Sequence, residues 1–287
     1  TSQYPDSVVL SVDGVGAYDN VKRVEMLKAL HERATLRPLI PFVRMNYGRD
    51  SEYTYVEDNR TVHEIRQSQG GEQGDPLMPA LFCLALAPSL KNCSEEWSRR
   101  GVRHQIYAYL DDIYVWVEER QFARLVFDSL RESLRGGPGL ELHAQKTKLW
   151  GRNPLCPPEW SDMPEVWRPE GIAIGDEDED GLRVLGAPLG SPAFIKAFCE
   201  KRTEIESSLF TEIENFVHET RDVQIAFQLL KFCCATRSVH LARTVPPSIL
   251  RSHAQTTDTK LQHAFAKLIS VQPEVISDLQ KELLHSP

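Results

Sequence analysis

Apolar and polar positions repeat along this chain with two different periods. Residues 7–12, SVVLSV, form a short β-branched run closed by Asp13, which reads as a buried strand. In 21–31, VKRVEMLKALH, the residues Val21, Val24, Leu27 and Leu30 fall on one helical face, and a second helix is expected over 38–48. SEYTYVED and RTVHEIRQ alternate like the two strands of a hairpin turning at Asp58-Asn59. A glycine-rich stretch, QGGEQGDP, then precedes an apolar helix over 77–90. QIYAYL and IYVWV read as strands joined by a two-residue turn, Asp111-Asp112. Residues 119–135 are helical up to Gly-Gly-Pro-Gly at 136–139, and LELHAQKTKLW is strand, turn, strand. Residues 151–181, rich in Pro, Gly and acids, read as an insertion or surface loop with no assigned structure. LRVLGAPLG at 182–190 is one more strand with a turn, and every periodic segment from Ser191 onward is helical. The expected organisation is a mixed α/β region over 1–190 and an all-α region over 191–287.

Composition narrows this picture. With 287 residues, 41% apolar and 26% charged, the chain can bury a real core, which excludes a mainly disordered, collagenous or coiled-coil protein. Its longest apolar runs, such as LFCLALA, fall far short of the roughly 20 residues of a membrane span, so no membrane association is expected. The first residues lack the pattern of a signal peptide, and the absence of an initial Met suggests an internal piece of a longer protein. Six cysteines with no C-x-x-C pair and no His at zinc-finger spacing fit reduced thiols in an intracellular protein, without distinguishing nucleus from cytoplasm.

The net charge of −8 argues, as a sum, against a nucleic-acid partner. Its distribution argues otherwise. Residues 191–287 hold 11 basic and 11 acidic residues, so the whole surplus lies before them, partly in the run DEDED at 176–180. Within the neutral part, Arg221, Lys231, Arg237, Arg243 and Arg251 face only Asp222, a local +4 suited to phosphates or simply to solvation of helix faces.

Three aspartates stand at predicted strand ends: Asp13, Asp111 and Asp112. Carboxylates converging from adjacent strands are what a pair of divalent cations about 3.5–4 Å apart requires. Asp-Asp is equally a common hairpin turn, and the aspartates alone leave both readings open. The order of the whole set decides between them: strand-Asp, a Gly/Gln turn entering a helix, then strand-Asp-Asp-strand.

That order resembles the palm of a reverse transcriptase, closest to those of non-LTR retrotransposons. DGVGAYD at 13–19, GEQGDPLMPALF at 71–82, YLDD at 109–112, HAQKTKLW at 143–150 and LRVLGAPLG at 182–190 are similar to five successive motifs of that family. The resemblance implies an α+β fold: a right-hand palm with an antiparallel sheet over 1–190, then a helical thumb-like region over 191–287. With only twelve residues before Asp13, it also implies that the fingers are missing.

It implies RNA-directed DNA polymerisation, with Asp13, Asp111 and Asp112 as catalytic metal ligands for two Mg²⁺ ions, Mn²⁺ serving as a substitute. Tyr18 would be the steric gate against a ribonucleotide 2′-hydroxyl. Gln73 and Gly74 would line the nucleotide pocket and template, Lys146 would sit near the triphosphate, and Tyr109 beside the primer terminus. The partners would be an RNA template, a DNA or RNA primer and dNTPs, with the oligomeric state open. Met78 departs from the family's usual Ser, and Leu110 from its frequent Ala. Two alternatives remain: a catalytically inactive RNA-binding remnant of a retroelement, and an RNA-templated RNA polymerase.

Overall fold

The structure, a computed structural model, describes residues 4–72, 74–152, 155–169 and 181–271. Two compact units divide it, Thr1–Pro169 and Glu170–Pro287.

In the first unit, β1 (Val8–Val12) is the strand expected from its β-branched run; it buries Val8, Leu10 and Val12 and turns Val9 and Ser11 to the other face. It is the centre of a five-stranded sheet ordered β4-β5-β1-β6-β7, where β4 is His104–Tyr109, β5 Asp112–Val117, β6 Lys148–Gly151 and β7 Trp167–Pro169. β1 runs antiparallel to both neighbours, pairing Val12 with Ile113 and Leu10 with Leu149, while β6 and β7 are parallel.

Helices α4 (Met78–Arg99) and α5 (Ala123–Gly136) cover the apolar face, with Phe82, Leu86, Phe127, Leu130 and Leu134 in one core with the strands. Short α1 (Ala17–Asn20), α2 (Arg23–Glu32) and α3 (Ile40–Tyr47) follow β1. They lead into an exposed hairpin of β2 (Ser51–Val56) and β3 (Val62–Gln67).

Three details correct the sequence expectations. In α2, Val24 is 51% exposed and the buried positions are Arg23, Met26, Ala29 and Leu30, because the inward place of the first turn goes to an arginine with polar partners. Helix α4 continues past Pro88 to Arg99. Pro88 lies on its exposed side, where water can take the freed carbonyl, and burial of Cys93 and Trp97 beyond it offsets the lost hydrogen bond.

The third concerns the Pro- and acid-rich stretch. Its residues 155–169 carry two 3₁₀ turns, Pro158–Trp160 and Pro164–Val166, and the fifth strand β7, and they bury Trp160, Val166 and Trp167. The run 176–180 lies outside the described residues.

The second unit opens on the hairpin β8 (Gly181–Val184) and β9 (Ala187–Gly190), turned by Leu185 and Gly186, both at positive φ as a two-residue hairpin requires. The sequence reading placed this hairpin at the close of the first region; here it groups with the helices that follow. Those are α6 (Pro192–Thr220), α7 (Val223–Leu229), α8 (Val239–Thr244) and α9 (Pro247–Leu268), with a π-helical turn at Leu230–Cys234. Ser191 caps α6 by accepting from the Phe194 amide at 3.1 Å, and α6 packs along α9. Among the described residues no helix is long and apolar enough to cross a membrane.

Candidate active site

Asp13 leaves the end of β1 and is held by the segment that returns beside it. The His143 amide donates to the Asp13 carbonyl at 2.8 Å, the Val15 amide to the Glu141 carbonyl, and Gly14 bridges to Leu142. That pairing carries the chain into a 3₁₀ turn, Ala144–Lys146, closed by the buried Thr147, whose Oγ1 donates to the His143 carbonyl at 3.1 Å. The turn delivers Lys146 to the carboxylate: Nζ lies 2.8 Å from Asp13 Oδ2. The hydrogen bond to Asp13, and then its charge with those of Asp111 and Asp112, holds the ammonium above its ordinary pKa.

The second strand pair brings the other two carboxylates. Tyr109 pairs with Asp112, so the apex consists of Leu110, at φ 56°, and Asp111. This shifts the expected turn by one residue, because Asp112 already belongs to β5. Since Val12 faces Ile113, the next step along the register sets Asp13 opposite Asp112. Burial first, then the charges of Asp111 and Asp13, raise the Asp112 pKa, with Lys146 acting in the opposite sense.

Tyr18, on α1, stacks on Phe82 with ring centroids 4.9 Å apart and planes 23° off parallel. Its phenol is pushed up by burial, then by Asp111, with lesser effects from Cys83 and Tyr109, which places all four side chains in one neighbourhood. Tyr109 itself is 63% exposed.

The glycine-rich turn runs beside Tyr18. The Gly71 amide donates to the Tyr18 carbonyl at 3.0 Å and the Gly70 amide to the Val21 carbonyl at 2.8 Å. Gly70 stands at φ 68°, and a Cβ there would lie 2.2 Å from the Asp19 carbonyl oxygen, so only glycine fits. Met78 is fully buried against Gly71, turned into the core, which accounts for its departure from the usual Ser. Gly74 stands at φ 96° with open space around it, and Gln73 lies outside the described residues.

Farther along the turn, the Asp75 carboxylate accepts from the Leu77 amide at 2.8 Å and from the Tyr47 hydroxyl. Burial, followed by the Asp75 hydrogen bond, pushes Tyr47 up to about 12 from 10.0. The fold therefore holds this phenol proton more tightly than the unfolded chain does. The stabilisation is complete below pH 10.0 and is lost as pH rises through about 12. Urea titrations across that window should show falling stability in the native chain and a flatter curve in Tyr47→Phe; parallel curves would sink the assignment.

Thus Asp13, Tyr18, Tyr109, Asp111, Asp112 and Lys146 meet at one end of the sheet, with Gly74 on the adjoining turn. Phe82, which stacks under Tyr18, was not singled out as a site residue from sequence, although it closes the motif at 71–82.

Among the described residues no three carboxylate, histidine or cysteine side chains stand at ready-made metal-binding spacing. The donor chemistry nonetheless fits a hard divalent cation. Burial and the two neighbouring carboxylates, Asp111 and Asp13, push Asp112 up, and the Lys146 ammonium is already drawn to one of those two, Asp13.

The family model described as reverse transcriptase (RNA-dependent DNA polymerase) matches residues 2–189. A stretch of 104 residues, 36% of this chain, is 29% identical to the retrotransposable element SLACS 132 kDa protein of Trypanosoma brucei gambiense and covers 8% of that protein. Among solved structures, the chain is similar to telomerase from Candida albicans in complex with the TWJ fragment of telomeric RNA, at TM-score 0.46 and 10% identity, covering 98% of this chain and 50% of that one. It is also similar to apo telomerase from Candida tropicalis, at TM-score 0.44 and 12% identity, covering 92% and 47%. The chain therefore spans no more than half the length of these relatives.

Proposed function

This chain belongs to the reverse transcriptase family, and from that premise we propose that it is the polymerase domain of a retroelement, adding deoxynucleotides to a primer 3′-hydroxyl along an RNA template. The observation that carries the reading is the convergence of Asp13, Asp111, Asp112 and Lys146, from three separate segments, beside the Tyr18–Phe82 stack.

Asp13, Asp111 and Asp112 would hold divalent cations, Mg²⁺ or Mn²⁺. Bound there, such ions lower the pKa of the attacking hydroxyl and neutralise charge on the triphosphate. The protein's own groups supply position and charge. Lys146 stays protonated because Asp13 raises its pKa, so it can face the triphosphate as a cation and return a proton to departing pyrophosphate. Exposed Tyr109 is free to rest against the primer terminus.

Tyr18 cannot swing away from a sugar without losing its stack on Phe82, which gives it the rigidity a gate requires. In primer extension by the full-length protein with divalent metal, Tyr18→Ala should reduce discrimination against rNTPs by about 10²-fold while keeping dNTP incorporation. Unchanged discrimination would remove the gate role. A native protein that prefers rNTPs would favour the RNA-polymerase alternative, and one that binds RNA without extending primers would favour the inactive remnant.

A further inference from the structure

Arg23 is 5% exposed, and none of the acceptors that hold its guanidinium is a carboxylate. A buried cation without a counter-ion is costly unless each donor is directed to an acceptor. Here Nε donates to the Gly70 carbonyl at 2.8 Å, Nη1 to the Arg49 carbonyl at 2.7 Å and Nη2 to Ser51 Oγ at 3.0 Å. The guanidinium also lies 5.4 Å over the ring of Tyr47. Tyr47, itself 4% exposed, sends its hydroxyl to the Asp75 carboxylate, which also accepts from the Leu77 amide in the turn that precedes α4. The glycine-rich turn is thus held at Gly70 by Arg23 and at Asp75 by Tyr47, and the two holders are in face contact.

Between those ends, Gly74 has open space around it. A segment fixed at both ends forms an arch whose span is set by its anchors. Arg23 and Tyr47 sit on helices separated by a further turn of chain, so the span is imposed from outside the arch. The same guanidinium holds Arg49 and Ser51 at the root of the β2–β3 hairpin, and the Tyr53 hydroxyl from β2 reaches Glu72 inside the arch.

We propose that Arg23, Tyr47 and Asp75 form a clamp that fixes the span of the Gly70–Asp75 arch and so positions the incoming nucleotide beside Tyr18. None of the three touches the carboxylate cluster, so these are positioning residues. A neutral apolar filler would pack the same space, but it would leave the Gly70 carbonyl and the Asp75 carboxylate without these directed donors. The clamp rests on the polymerase reading for its substrate, and on geometry alone for its existence.

Two readouts on the full-length protein separate those dependences. In Tyr47→Phe, which keeps the ring under Arg23 and removes only the donor to Asp75, hydrogen exchange should accelerate about ten-fold at the Gly71 and Leu77 amides. Amides elsewhere should keep their rates. In primer extension the same variant should raise KM for dNTP by about ten-fold, with kcat at saturating nucleotide within two-fold of native. Arg23→Lys keeps the charge but loses the three-point fork, and it should show the same local exchange and the same KM-against-kcat split.

Unchanged exchange at 70–77 in both variants overturns the clamp. Exchange accelerated throughout the first unit also overturns it, leaving ordinary core residues. Local acceleration with an unaltered KM removes the positioning role. If the native protein extends no primer, the polymerase reading fails, while the exchange arm still decides whether the arch is clamped.

Discussion

Asp111→Asn is expected to reduce primer extension by about a thousand-fold or more, with the thermal unfolding midpoint unchanged. Asp111 occupies the apex of the β4–β5 hairpin beside Leu110, and its charge reaches Tyr18, Asp112 and Lys146. Asparagine has the same shape and tolerates a turn equally well, so the backbone loses nothing. What disappears is one of three negative charges gathered at the sheet end, and under the proposed metal-holding role its loss would cost several kcal/mol of transition-state stabilisation, about three decades in rate. The measurement is single-nucleotide incorporation by the full-length protein in Mg²⁺ and in Mn²⁺. An Asn variant that polymerises like the native protein would show that the chemistry is placed elsewhere.

The second large effect is structural. Trp160→Ala should destabilise the first unit by about 3–5 kcal/mol, read from urea unfolding. Trp160 is fully buried and packs on Phe127 with centroids 5.3 Å apart; the Arg124 guanidinium covers its ring at 5.4 Å. Arg124 in turn reaches the Glu159 carbonyl at 3.1 Å and Asp162, tying the 3₁₀ segment to α5. Alanine would leave a ring-sized void and free that guanidinium from its apolar platform. A loss under about 1 kcal/mol would mean that the segment is an appendage rather than part of the core.

Trp160 also marks where the sequence was hard to read. Its segment is rich in proline and acids, which signal a loop, and its two 3₁₀ turns have no periodicity to count. The remaining clue was two tryptophans, at 160 and 167, in a stretch too polar to explain them. The strands around the carboxylates were legible for the opposite reason. SVVLSV and IYVWV are short, largely apolar and β-branched runs bounded by Asp13 and Asp112, and Val8, Leu10, Val12, Ile113, Val115 and Val117 are all buried.

Asp13 and Lys146 were singled out through the motifs that resemble the family's, and nothing local announced their 2.8 Å contact across 133 residues of chain. The one-residue error at the hairpin apex has a similar origin. Leu110 adopts a left-handed conformation, which leucine rarely signals, so Asp-Asp looked like the turn. In α2 the error lay in treating Arg23 as outward. Its partners Arg49, Ser51 and Gly70 are 26 to 47 residues away, beyond any helical period.

The β2–β3 hairpin has a practical consequence. Its ladder runs from Ser51–Gln67 to Val56–Val62, and nearly every residue in it is exposed. At the tip, Arg60 stands at positive φ, and the turn is closed by the Glu57 amide on the Thr61 carbonyl. Chain anchored at its root and contributing nothing to the apolar interior is the natural place to interrupt a polypeptide. A protease cut after Arg60, or an epitope tag or fluorophore grafted between Asp58 and Arg60, leaves the sheet and its covering helices intact. Two fragments joined only by the remaining ladder and the shared core would then report on each other's folding.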